Sequence, residues 1–193
     1  MNEGNERRTG AETRAEILRV AVTLFTEKGF EGTSIRDIAS ALDMTKSALY
    51  YHFENKDAIV EGLFEERNKE LDDFVDWLAG QPATPDLMRK AALRWIDTTT
   101  PEQLRLMRLA QANQPLMKRL AAGGKDVRSG FDRVIDLLID NNTTTQDRIY
   151  ARMIFDTVSA AGRAAQGTDA NPDDVIAVAR RASIALTCTD HPS

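Results

Sequence analysis

A chain of 193 residues, 42% hydrophobic and 28% charged, has the make-up of an ordinary folded protein with room for a small domain and a larger core. A single cysteine excludes an internal disulfide, no apolar run approaches the length of a bilayer, and the amino terminus lacks the apolar centre of a signal peptide, so a cytoplasmic protein is expected. The balance of 25 basic to 30 acidic residues, a net charge of -5, argues against broad electrostatic capture of nucleic acid, and residues 1–60 are no different, with eight basic against ten acidic side chains. Any nucleic-acid contact must rest on where individual cations point.

In chain order, residues 1–11 read as a leader tipped by Arg7 and Arg8, and with Arg14 these could follow a phosphate backbone. The first helix is expected from Glu12 to Lys28, with Ile17, Leu18, Ala21, Val22, Leu24 and Phe25 inside and Gly29 closing it in a left-handed conformation. Two short amphipathic helices follow. In the first, Ile35, Ile38, Ala39 and Leu42 share one face, and Ser34 with Asp37 has the spacing of a capping box. The second begins at Thr45 after a turn at Asp43-Met44. It can turn Ala48, Leu49 and Phe53 inward while presenting Lys46, Ser47, Tyr50 and Tyr51 to solvent. Periodicity alone fits a DNA-reading unit and a plain helical hairpin equally well.

A fourth helix should start after Asn55 as N-cap and run to Ala79, with an apolar stripe of Ile59, Leu63, Phe64, Leu71, Phe74, Val75 and Leu78. It is too long to belong to the first unit alone and reads as a bridge. Beyond the break at Gly80-Gln81-Pro82, polar caps before proline at Thr84-Pro85, Thr100-Pro101 and Asn171-Pro172 mark helix starts. Five further helices are predicted, over 85–98, 101–112, 115–139 with a weak point at Gly123-Gly124, 144–166 and 172–188, and a tail over 190–193. No stretch shows strand alternation. The small residues of 158–165, together with Val175, Ile176, Ala179, Ala182, Ser183 and Leu186, suit close helix packing, either within one chain or between two. Met88, Trp95, Leu104, Met107, Met117 and Phe131, joined by Tyr150, Met153 and Phe155, could line a small-molecule pocket or form plain core; Gln111, Asn113 and Arg128 are polar candidates beside them.

Catalytic chemistry finds little support. His52 and His191 lack neighbours at metal-ligand spacing, Cys188 reads as a small apolar residue, and Gly123-Gly124 lacks the rest of a phosphate loop. Asp173-Asp174 suits a helix start. No metal or cofactor is expected.

The run Lys28-Gly29-Phe30-Glu31-Gly32, the helix Thr33-Ser34-Ile35-Arg36-Asp37-Ile38-Ala39, then Leu49-Tyr50-Tyr51-His52-Phe53 and Asn55-Lys56 closely resemble the amino-terminal signature of the TetR/AcrR family of bacterial repressors, over about residues 12–65. The resemblance implies an all-α protein of nine helices: a helix-turn-helix DNA-binding domain (12–56), a bridging helix (57–79) and an effector-binding and dimerisation domain (80–189). It implies that Thr45, Lys46, Ser47 and Tyr51 approach base edges with Arg36 beside them, and that Thr33, Tyr50, His52 and Lys56 hold phosphates. The partners it implies are a second copy, joined through the last two predicted helices, double-stranded operator DNA of palindromic sequence, and an apolar small-molecule effector. The expected function is a repressor released from its operator by that effector; the alternative is an all-helical carrier or enzyme using the same apolar cavity.

Overall fold

Polar caps set most of the helix starts in the computed structural model, which describes residues 9–122, 127–139 and 143–188. Eleven helices lie among the described residues: α1 (Gly10–Lys28), α2 (Ile35–Ala41), α3 (Lys46–His52), α4 (Lys56–Ala79), α5 (Leu87–Asp97), α6 (Pro101–Ala112), α7 (Gln114–Ala122), α8 (Val127–Leu138), α9 (Thr145–Phe155), α10 (Thr157–Ala164) and α11 (Pro172–Thr187). Among those residues there is no strand, and no helix is long and apolar enough to cross a membrane. Thr9, Ser34, Thr100, Thr144 and Asn171 each accept from the backbone three residues on, and a side chain from there bonds back to the cap, closing five capping boxes. Thr9 is the reason α1 begins at Gly10, two residues before the predicted start.

Two expectations need correction. Thr84-Pro85 does not open a helix: the Thr84 carbonyl accepts the Leu87 N–H at 2.9 Å and its hydroxyl donates to Asp86 at 2.7 Å, so a turn consumes these groups and α5 starts at Leu87. The helix predicted over 115–139 is represented by α7 and α8 on either side of residues 123–126, and these, with the predicted weak point at Gly123-Gly124, lie outside the described residues. The helix predicted over 144–166 divides at Asp156 into α9 and α10. Gly29 does adopt a positive φ of 78°, but with ψ 157°, a combination open in practice to glycine rather than the left-handed helical well.

The helices enclose three buried clusters. The first joins Ile17, Leu18, Val22 and Phe25 of α1 to Ile38, Leu49, Phe53, Ile59 and Val60, and it also takes in Leu106, Leu109, Leu116 and Leu120 from α6 and α7. The second gathers Leu71, Phe74 and Leu78 of α4 with Trp95, Val134, Ile135, Ile154 and Phe155. The third holds Ile96, Leu104, Val158, Ala161, Val175 and Ala179. Thus α4 runs from the first cluster into the second, and α6 packs along α1, a second link that the sequence did not reveal. The small residues Ala161 and Ala179 bring α10 and α11 together within one chain.

Candidate functional site

The α2–turn–α3 unit owes its shape to the turn. Met44 N–H donates to the Ala39 carbonyl at 2.9 Å and Asp43 N–H to that of Ser40 at 3.3 Å, with Asp43 at φ 51°: a Schellman closure whose left-handed position is filled by an aspartate. Thr45 then caps α3 by accepting the Ala48 N–H at 3.1 Å. Leu49 and Phe53 are buried in the first cluster, which fixes the rotation of α3 and turns Lys46, Ser47, Tyr50 and Tyr51 outward. Tyr51 is 86% exposed, an unusual position for so large an apolar body. Its ring meets His52 edge-on at 5.2 Å. Arg36 of α2 and Thr45 are exposed as well. At the α2 start, the side chain and backbone N–H of Ser34 both donate to Asp37, holding its carboxyl below the usual range.

Three expected contacts look different in place. Thr33 is buried, its hydroxyl donating to the carbonyls of Leu24 and Gly29 at 3.1 and 2.9 Å, so it fastens the α1–α2 connection rather than facing a phosphate. The half-buried Lys56 donates to the Phe30 carbonyl at 2.7 Å and lies over its ring, holding the start of α4 to that same connection; a phosphate could use only its remaining N–H groups. Arg14 belongs to α1, stacked over Phe53 at 4.2 Å and paired with Glu65 at 3.4 Å. Arg7 and Arg8 lie outside the described residues.

A cleft of about 760 Å³ is bordered by Phe64 and Arg67 of α4. Of the residues expected there, Trp95, Met107, Met117, Phe131, Met153 and Phe155 line it, as does Gln111. Three do not. Met88 packs against the second cluster, Leu104 is buried in the third, and the Tyr150 hydroxyl donates to the Leu186 carbonyl at 2.6 Å, tying α9 to α11. Asn113 turns back to donate to the Leu109 carbonyl at 2.9 Å, and the Arg128 side chain lies outside the described residues. The sequence reading missed the charge: Arg67, Lys118, Arg152, Arg163 and Asp156 also line the cleft, which is therefore not simply apolar. Arg152 pairs with Asp132 and Arg163 with Asp156. Arg67 had a visible signal, since it stands four residues from both Leu63 and Leu71, on the buried stripe of α4.

Comparison with known proteins places this geometry. Residues 17–63 match the sequence model of the bacterial regulatory proteins of the tetR family. The HTH-type transcriptional repressor KstR2 of Mycolicibacterium smegmatis is 38% identical over 71 residues, 37% of this chain and 31% of that protein. The negative transcriptional regulator of the biofilm operon, IcaR of Staphylococcus aureus, is 48% identical over 46 residues, 24% of this chain and 25% of that one. The chain thus spans about a third or less of the length of these curated relatives. The fold is shared more widely. A TetR-family regulator structure from Mesorhizobium loti superposes with a TM-score of 0.61 at 23% identity, covering 93% of this chain and 97% of that one. The ketosteroid transcriptional regulator KstR2 of Mycobacterium tuberculosis does so with a TM-score of 0.67 at 19% identity, covering 93% and 95%. The tetR-family signature thus lies on residues 17–63, within α1 to α4, and the fold of the rest is shared with solved TetR-family regulator structures.

Proposed function

We propose that this chain is a cytoplasmic, homodimeric transcription regulator, a repressor that leaves its operator when a small molecule fills the cleft. The observation that carries the reading is the outward face of α3, where Lys46, Ser47, Tyr50 and the 86% exposed Tyr51 stand clear of the protein on a helix whose other face is fixed by buried Leu49. Such a helix fits the major groove, with Thr45, Lys46, Ser47 and Tyr51 toward base edges, Arg36 beside them, and Tyr50 and His52 toward phosphates. With a net charge of -5, recognition depends on this placement rather than on bulk attraction. Both curated relatives are named for negative control of transcription, which supports the repressor reading.

In this account residues 12–56 read DNA, 57–79 bridge, and 80–189 hold the effector and the partner copy. One α3 reads only a few base pairs, so a twofold dimer on a palindrome is needed for specificity. Exposed Ile149, Met153, Val178 and Ile184 on α9 and α11 are the apolar side chains for that contact. An effector in the cleft would press on α4 and α6, both of which reach the first cluster. It would thereby move the two α3 helices away from the spacing of about 34 Å that matches one turn of DNA. The test is a gel-shift assay of the full chain with DNA from upstream of its own gene, in excess unrelated duplex. A discrete complex that survives the competitor is expected; binding that the competitor abolishes would sink the reading.

A further inference from the structure

The least expected group in the cleft is Arg67. It is only 7% exposed, its guanidinium lies 3.8 Å over the Trp95 ring, and among the described residues it makes one hydrogen bond, from Nη1 to Glu70 Oε2 at 2.9 Å. A guanidinium carries five N–H donors, and burying one is costly unless acceptors surround it. Burial accordingly pulls Arg67 below its ordinary pKa, and the hydrogen bond it donates to Glu70 only partly offsets that. Its acid, Glu70, is half exposed and is shared: the same Oε2 accepts Gln103 Nε2 at 2.6 Å, and Gln103 Oε1 accepts the Thr100 N–H at 2.9 Å, the N-cap of α6. One carboxylate therefore joins α4 to the start of α6. Of the other cleft cations, Arg152 and Arg163 have their own acids in Asp132 and Asp156, and Lys118 is an exposed ammonium at the cleft lining.

Resting on the reading of this cleft as the effector site, we propose that its ligand is an amphipathic anion. Its apolar body would lie against Trp95, Phe131 and Phe155 and its head group would bind Arg67 in competition with Glu70. The head group supplies the acceptors that a buried arginine lacks, in the geometry where carboxylates and phosphates bind most strongly. Glu70 loses little on leaving, because half of its side chain already meets water. Its departure breaks the α4–Glu70–Gln103 connection, and α6, which packs along α1, is the element released.

Calorimetric titration of the full chain with dodecanoate, dodecyl phosphate and dodecanol tests this, the three sharing a tail and differing in the head. At least one anion should bind about tenfold or more tighter than the alcohol, and the tighter of the two identifies the head group as carboxylate or phosphate. Arg67→Met should erase the advantage. Glu70→Gln, at a half-exposed position that folding tolerates, should tighten the anion severalfold and leave dodecanol unchanged, which a merely structural Arg67 would not produce. Dodecanol binding as tightly as both anions would overturn the proposal while leaving the cleft reading intact, as would an anion preference that survives Arg67→Met. An anion affinity indifferent to Glu70→Gln would overturn the competition. No uptake of any of the three would overturn the cleft reading as well.

Discussion

Replacing Tyr51 by alanine separates reading from folding more cleanly than any other change. The ring is 86% exposed and its only ring contact among the described residues is the edge of neighbouring His52, so stability should stay within about 0.5 kcal/mol of the parent. Loss of a base-edge contact costs about 1–3 kcal/mol, and a symmetric dimer loses it twice, about 2–6 kcal/mol in all. Operator affinity should then fall by roughly thirtyfold to twenty-thousandfold, at 1.4 kcal/mol per decade. Leu49→Ala, two residues earlier, provides the contrast. It is fully buried, so the same truncation should cost about 2–5 kcal/mol of stability and weaken DNA binding only through unfolding. Fluorescence anisotropy with a labelled operator, beside thermal melts of both variants, measures the two quantities. If Tyr51→Ala binds as tightly as the parent while remaining folded, α3 does not read DNA with this face.

Gly32→Ala should destabilise the chain by about 1–3 kcal/mol in a thermal melt, because a Cβ there would collide with the Lys28 backbone carbonyl, whereas Gly10→Ala, facing open space, should not. Val178→Arg should split the dimer in sedimentation without unfolding the monomer, since Val178 is 44% exposed in the isolated chain; an unchanged dimer would remove α11 from the interface. Asp37 has a depressed pKa, so its contribution is present above the ordinary carboxylate range and lost as pH falls through its folded value. Asp37→Ala should therefore melt earlier than the parent near neutrality, with the gap narrowing in acid, and a gap that is independent of pH would refute the role of the charge.

The DNA-facing half was largely legible because its signals are local. Ser34 with Asp37, Thr45 and Asn55 act within three residues of themselves, and a helix of seven residues anchored by Leu49 leaves few choices for what faces out. What escaped were facts set by distant packing. Thr33 looks like any exposed hydroxyl until the α1 carbonyl of Leu24 is seen above it, nine residues back. Ala161 and Ala179 fit a dimer seam as well as an intramolecular one, and only the third cluster decides that they meet each other. A charge of the kind meant to split a dimer would there break the monomer instead, which is why Val178 is the better position. Arg67 stands on the same stripe as Leu63 and Leu71, four residues from each, so its spacing places it inside in spite of its charge. Asp156 divides α9 from α10 while backbone bonds continue through it, since its N–H donates to the Arg152 carbonyl and its carbonyl accepts the Ala160 N–H.

Hydroxyl-radical footprinting of the full chain on its selected operator tests the central claim most directly, because it reports where two copies of α3 sit. The account predicts two protected patches on one face of the duplex, related by twofold symmetry, with centres about 34 Å apart or a whole multiple of it. Tyr51→Ala should clear both patches together. A single patch, or protection spread evenly along the fragment, would contradict it.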